Sequence, residues 1–488
     1  MVTSILKNQK GVAMITVYLI SAVISTIAAA AYSKSFFEMR YVNQELDRLR
    51  SFAAAEAGIQ NAMAQIGANA YTGFINTAPM TVSNFQSTDG KAVGSYSVSF
   101  SYPNQADWVT VTASATVNGE TRNLEGRVFL DSNLSKYLVY AQTASFASGT
   151  NAQYGEPDLT GTPAYPEFVP ANSDDRASLY FTGNWSMTGS NVQTYGDANA
   201  QGTVSGDSTS KVHGDTYAGP FSLNANGSVQ NSGVSGSLVV GDGFADDIDR
   251  NKDGIINAAD APDHHQLSSA GGGDAHKTET LTLIDQNFYT AHNNTSQYVG
   301  STAQSRYLKF VPINNGAATQ IVEYTSGTFS TVVATYNMPS NAIVYVKGNI
   351  YVQGEIGGRV SVVSSNSIYF DGNTRYASAQ NKADANHSAA FMAKDKLFFH
   401  ANDLTVSGIL YGENSSSSSV VFDADYNTNG QYDPNSKTKL RLYGNRVMKG
   451  STNLGDYPDR VYGYDGSLKY YRPPGIPVVP SLRTVREK

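Results

Sequence analysis

Residues 12–32 carry no charge, and no proline interrupts the chain from there to residue 67. At 1.5 Å rise per residue, a helix over 12–32 spans roughly 30 Å, the hydrocarbon thickness of a bilayer. It can cross a membrane once. Its hydroxyl residues Thr16, Ser21, Ser25 and Thr26 can bond back to carbonyls of the preceding turn, which makes them tolerable in lipid. Lys7 and Lys10 precede the apolar run and belong on the cytoplasmic side. The bulk of the chain therefore faces outward.

Past Tyr32 the pattern turns amphipathic. Met39, Val42, Leu46, Leu49, Phe52/Ala53, Ile59, Met63 and Ile66 recur every three or four residues, with Arg40, Gln44, Asp47, Arg48 and Arg50 between them. The Ala-rich centre favours helix. The pattern predicts one helix of about 55 residues, roughly 80 Å long, half in lipid or against other apolar helices and half packed on a domain. An ordinary secretory signal is the alternative, with cleavage in the small residues Ala28 to Ala31. That would strand an amphipathic helix at the new N-terminus. Glu56 falls on the apolar stripe, where a carboxylate is either solvated at the helix edge or hydrogen-bonded by the domain above.

Here the residues resemble a family. Lys10-Gly11 before Val12-Ala13-Met14-Ile15 is similar to a type IV prepilin peptidase site, and residues 48–58, RLRSFAAAEAG, are similar to the second signature of PilX-type minor pilins. The resemblance implies cleavage after Gly11, N-methylation of Val12, and helix-to-helix packing with other pilins in the core of an extracellular filament. The fifth residue from Val12 is Thr16, where most major pilins carry a Glu that pairs with a neighbour's terminal amine. A buried charge pair needs both partners. The resemblance therefore implies a minor component at or near a tip, which waits in the bacterial inner membrane as a single-pass protein and reaches the pilus or cell surface on assembly. Prepilin peptidase and the other pilins are the implied partners, with a tip adhesin or surface ligand beyond them.

Composition narrows the rest. Charged residues are only 15% of the chain, against roughly 25% in average soluble proteins, while Tyr, Gly, Ser, Thr and Asn are plentiful. This profile suits an extracytoplasmic β-rich protein. With a formal charge of −7 and no Lys/Arg cluster, nothing offers a footprint for nucleic acid. The absence of Cys excludes disulfides and thiol chemistry.

After Gly67, alternating segments at 95–101, 108–112, 114–117 and 121–130 predict a small antiparallel sheet covering the helix, with Asn118-Gly119 as a hairpin turn. The stretch 137–243 is dense in Gly, Ser, Asn and Thr, with short apolar islands such as Leu179-Tyr180-Phe181. Their regular recurrence favours short strands of a coiling sheet over loose loops. From Asn341 the strands become regular, three to five residues each, as in a parallel β-helix; an antiparallel sandwich is the alternative. The Pro-rich tail reads as an extended strap.

The sharpest chemical motif is residues 249–260. Asp249, Asn251, Asp253, Asn257 and Asp260 supply oxygens at loop positions 1, 3, 5, 9 and 12, Gly254 makes the turn and Ile255 offers its carbonyl at position 7. Hard oxygen ligands at that spacing suit calcium. Residues 425–433 form a weaker second candidate, with Asp425, Asn427, Asn429 and Asp433 in place but Ser436 at the closing position. A bound divalent ion would brace loops that no disulfide can.

The fold class predicted is α+β. It comprises a leader at 1–11, a long pilin-type helix at 12–67 with its membrane part at 12–32, and an antiparallel sheet at 68–135. A β region at 136–340 and a β-helix-like region at 341–488 follow. The reading is structural rather than enzymatic. A β-helix polysaccharide enzyme or adhesin is the alternative, but the acids Glu355, Asp371, Asp384, Asp395, Asp403 and Asp423 are scattered and form no paired motif.

Overall fold

The computed structural model describes residues 2–68, 70–86, 92–102, 108–146, 151–154 and 179–187, and nine short strand segments between 193 and 240. It continues with 281, 283–294, 304–378, 383–415, 420–421, 438–450, 452–453, 457 and 459–487. One helix dominates: α1, Val2–Ala68, is 67 residues long, about 100 Å at standard rise. Everything else described is β-structure, turns, a six-residue helix and a short 3-10 turn.

The C-terminal third of α1 packs on a five-stranded antiparallel sheet. Its first four strands are β1 (Met80–Gln86), β2 (Ala92–Ser101), β3 (Trp108–Val117) and β4 (Glu120–Asp131), in sequence order. The central strand β3 alternates strictly, burying Val109, Val111, Ala113, Ala115 and Val117, as a strand with one covered face must. Asn118 and Gly119 both have positive φ, 49° and 89°, the two-residue turn whose twist matches the strands it joins.

The fifth strand comes from the far end of the chain. Val479–Glu487 pairs antiparallel with β4, from Val479↔Asp131 to Glu487↔Leu124. The tail expected as a plain extended strap is thus in two parts. Residues 472–478 are buried, and the remainder is an edge strand, because its backbone groups find the open edge of β4 and pairing satisfies them.

The face α1 buries meets expectation at Ile59 and Ile66 and departs from it below residue 53. Ala54, Ala55, Gly58, Ile59, Ala62 and Ile66 are buried, whereas Met39, Val42, Leu46, Leu49 and Phe52 of the expected stripe are exposed. Small residues win because they admit the sheet to close range. A Cβ on Gly58 would sit 3.2 Å from Ala113 Cβ, Tyr96 Cδ2 and Val98 Cγ2. Phe52 or Leu49 on that face would hold the sheet away.

The large β region is built of parallel strand pairs in three rows. One row runs Asn341–Val346, Arg359–Ser364, Ser388–Ala393, Asp403–Gly412 and Lys439–Met448, then passes to Val139–Ala141, Leu179–Phe181, Ala198–Ala200 and Thr216–Tyr217. A second begins Arg306–Ile313, Ile350–Ile356, Ile368–Tyr376, Leu397–Phe399 and crosses in the same way to Ala144–Phe146 and Trp185–Met187. The third joins Asp459–Gly463 to Asn151–Tyr154 and Gln193–Thr194. Strands on either side of residue 341 therefore share one sheet, and the edge left by Lys439–Met448 is closed by Arg446↔Val139, about 300 residues earlier in the chain. Exposed edges invite unwanted pairing.

The opposite end is closed differently. Arg306–Ile313, Ala318–Tyr324 and Val332–Asn337 form an antiparallel meander against Ile350–Ile356. Beside it, the backbone N–H groups of Ile343 and Tyr345 donate to the side chains of Asn294 and Asn293 at 2.6 and 3.1 Å. Between the rows lies a continuous apolar core that includes Phe310, Val352, Phe370, Phe391, Phe399 and Trp185. On the outside, Tyr307, Tyr351, Tyr369 and Phe398 stack in register at 4.4–4.6 Å.

Candidate assembly helix and its junction with the head

From Val12 the helix runs 57 residues, and none of its apolar window is buried by the described residues. Val12 is 62% exposed and Phe37 67%. By length and composition this segment is long and apolar enough to cross a membrane. The hydroxyls behave as the sequence predicts at two positions. Thr16 Oγ1 donates to the Val12 carbonyl at 2.9 Å and Thr26 Oγ1 to that of Ala22 at 2.8 Å. Gly11 lies within α1, but its surroundings fall outside the described residues.

Where the helix meets the head, polar contacts take over. Gln44 Nε2 donates to Glu120 Oε1 at 3.0 Å, Arg48 Nε lies 3.7 Å from Glu120 Oε2, and Asn118 Nδ2 donates to Asp47 Oδ1 at 3.1 Å. The β3–β4 hairpin thus grips the helix one turn below the first buried residue. Exposed pairs of this kind are worth at most about 1 kcal/mol each; they orient the sheet while the Ala/Gly/Ile face holds it. Glu56 is exposed, which is the helix-edge outcome. It takes no part in the buried face.

The upper end of the helix leads into an aromatic junction. Tyr71 stacks on Phe288 of α2 (Gln286–Ala291) with centroids 3.6 Å apart, and Phe74 meets the same ring edge-on at 5.4 Å. Between the small sheet and the large β region runs the buried strap. Thr72 N–H donates to Ile476 O at 2.8 Å, Gly475 N–H to Thr72 O at 2.7 Å, Ser132 Oγ to Pro477 O at 2.8 Å and Tyr289 Oη to Gly475 O at 2.7 Å. Arg472 also donates to Leu130 O, and Arg359 to Arg472 O. Together these bonds hold the strap to both sheet systems. Burial, helped by the nearby Asp285 carboxylate, pushes the Tyr71 hydroxyl up to about 12. Burial also raises Tyr289, which is fully enclosed.

No family model matches the chain, and no curated protein matches it. Among solved structures it is similar to the crystal structure of competence-associated pilin ComZ from Thermus thermophilus. The identity is 12%, the match covers 91% of this chain and 97% of that one, and the TM-score is 0.29.

Both predicted calcium loops, 249–260 and 425–433, lie outside the described residues. Among the described residues no group of three or more metal-ligating side chains gathers. Four of the six acids named for hydrolysis are engaged in local pairs, and Asp423 lies outside the described residues. Glu355 accepts from Arg375 at 2.8 Å, Asp371 meets His400 at 2.6 Å, Asp384 meets His387 at 2.9 Å, and Asp395 accepts from Ser367 Oγ at 2.9 Å. Sequence reading gave the strap but missed the edge strand that ends it, since that pairing joins residues more than 300 positions apart. It missed the small-residue face for another reason: Ala and Gly score as weakly apolar although close approach requires them.

Proposed function

We propose that this chain is a minor pilin-type structural subunit, of the PilX-like kind, inserted into a filament by α1 and displaying a β-rich head. The observation that carries the reading is the division of one continuous helix, exposed and apolar from Val12, packed by small residues on an antiparallel sheet from Ser51. Prepilin peptidase cuts after Gly11 and Val12 becomes the methylated N-terminus. Before assembly the chain sits in the inner membrane with the head outside; afterwards the exposed residues of α1 are covered by other pilins at the surface. Thr16, with its hydroxyl turned back to its own helix, offers no carboxylate to a neighbouring amine, which suits a place at or near the tip and a role in priming or adhesion rather than a repeating position.

The head is read as a parallel β-helix. Its three rows of parallel pairs support that over a sandwich. Calcium braces it through Asp249, Asn251, Asp253, Ile255, Asn257 and Asp260, and through Asp425, Asn427, Asn429 and Asp433 if the second loop also fills. Oxygen-only donors at this spacing fit that ion. The filament reading is tested by the mass of the mature N-terminus in sheared surface filaments. A methylated Val12 is expected, and a soluble chain starting near Tyr32 would sink it. For calcium, chelation should lower the unfolding temperature, with recovery on adding calcium and a smaller response in Asp249→Ala/Asp260→Ala; indifference to chelation would reject the ion.

A further inference from the structure

Where β4 ends, the two sheet systems leave a cleft of about 760 Å³. Its walls come from the end of β4, the loop after it, the turn at residues 466–470, the strap and the terminal strand. The lining includes Lys136, Lys469, Arg472 and Arg483 against one carboxylate, Asp131. That carboxylate is shared: Arg483 Nη2 lies 3.1 Å from both of its oxygens and Ser481 Oγ donates to it at 2.9 Å. Cations therefore outnumber acids in a concave site, where low-dielectric walls focus the field outward. Lys136 and Lys469 are each held over a tyrosine ring, Tyr137 at 5.0 Å and Tyr464 at 5.3 Å, and Arg472 is buried while donating to Leu130 O. The positive wall is thus placed by packing. At the rim, Tyr470 is 61% exposed, a large ring that solvent does not favour.

We propose that this cleft binds a short acidic oligosaccharide, with the carboxylates on the Lys/Arg wall and a sugar ring against Tyr470. A volume within roughly 300–1,000 Å³ suits a small ligand. A cationic wall selects acids over neutral sugars through charge-assisted hydrogen bonds, and a tyrosine offers an apolar face with a polar tip. A nucleic acid would need cations tracked along its backbone, and the chain carries −7 overall with no basic run beyond this cleft. The inference deepens the proposed function by giving the displayed head a ligand, and it rests on that reading only for exposure outside the cytoplasm.

The test is calorimetric titration of the full chain in detergent with galacturonic acid oligomers of two to four units. Neutral galactose oligomers of equal length, inorganic phosphate and a ten-nucleotide single strand serve as the other arms. The uronates should bind, the neutral sugars about tenfold or more weaker, and added salt should weaken the acidic arm alone. Lys136→Ala/Lys469→Ala should lose about tenfold, and Tyr470→Ala should weaken the saccharide without changing phosphate. Should the double variant lose its fold, Tyr470→Ala, at an exposed side chain, decides alone. Absence of uronate binding at millimolar concentration, equal binding of neutral sugars, tighter binding of phosphate or the oligonucleotide, or wild-type affinity in Tyr470→Ala would each overturn the proposal. A mature N-terminus near Tyr32 would defeat the filament reading and leave this binding intact, so the two failures are separable.

Discussion

The two halves of α1 are one helix with opposite chemistry. Below residue 50 the large side chains, Phe37, Leu46 and Leu49 among them, are exposed and no described residue covers them. From Ser51 upward the buried residues are mostly Ala and Gly, with Ile59 and Ile66 as the only large ones. The difference teaches that size, more than hydropathy, decides which face meets the head. Small residues serve a fixed partner that must come close, while the large ones below residue 50 lie exposed.

The sharpest way to break that comparison is at Ile59, fully buried beneath the sheet. Ile59→Ala should destabilise the small sheet by about 2–5 kcal/mol, read as a fall in the urea midpoint. If the loss were no greater than for an exposed helix residue, the packing account would fail. Next comes Gly58→Val, which drives new atoms into Ala113, Tyr96 and Val98 at a cost of about 1–3 kcal/mol. Hydrogen exchange should localise its effect to β2, β3 and the upper helix.

The junction at the top of α1 gives an alkaline test. Tyr71 keeps its proton in the folded chain up to about 12, while in the unfolded chain the hydroxyl titrates near 10. Its contribution is therefore complete below pH 10 and falls between pH 10 and 12, as the unfolded state releases the proton first. Urea midpoints at pH 9, 10 and 11 should decline, and Tyr71→Phe should flatten part of that decline. An unchanged slope in the variant would remove Tyr71 from the account.

The smallest effect is expected below residue 50. Leu49→Ala should leave the stability of the isolated chain within about 0.5 kcal/mol and reduce recovery of the subunit in filaments. A stability loss like that of Ile59→Ala would erase the distinction between the halves.

Much of this was legible in the residues. The helix from Val12 onward follows from the uncharged run at 12–32, the amphipathic pattern beyond it and the absence of proline, and the β3–β4 turn from Asn118-Gly119, because these are local properties. Ile59 and Ile66 of the buried face were legible, but its small residues were not, since an Ala/Gly stripe gives little hydrophobic signal and its value appears only when a sheet is laid on it. Nor were the non-local pairings: Val479–Glu487 on β4, or Val139 beside Arg446. Short strands with similar alternation could pair in many registers, and only the assembled core selects one. The calcium loops carry a clear local pattern and fall outside the described residues.

The filament proposal has Leu49 covered by other subunits, while Ala55 is buried under its own head. Since the chain has no cysteine, single replacements report cleanly on accessibility. Leu49→Cys, at a position 62% exposed, should react readily with a water-soluble thiol reagent in the isolated chain and slowly in sheared filaments, whereas Ala55→Cys should be slow in both. Equal labelling of Leu49→Cys in the two states would contradict the account.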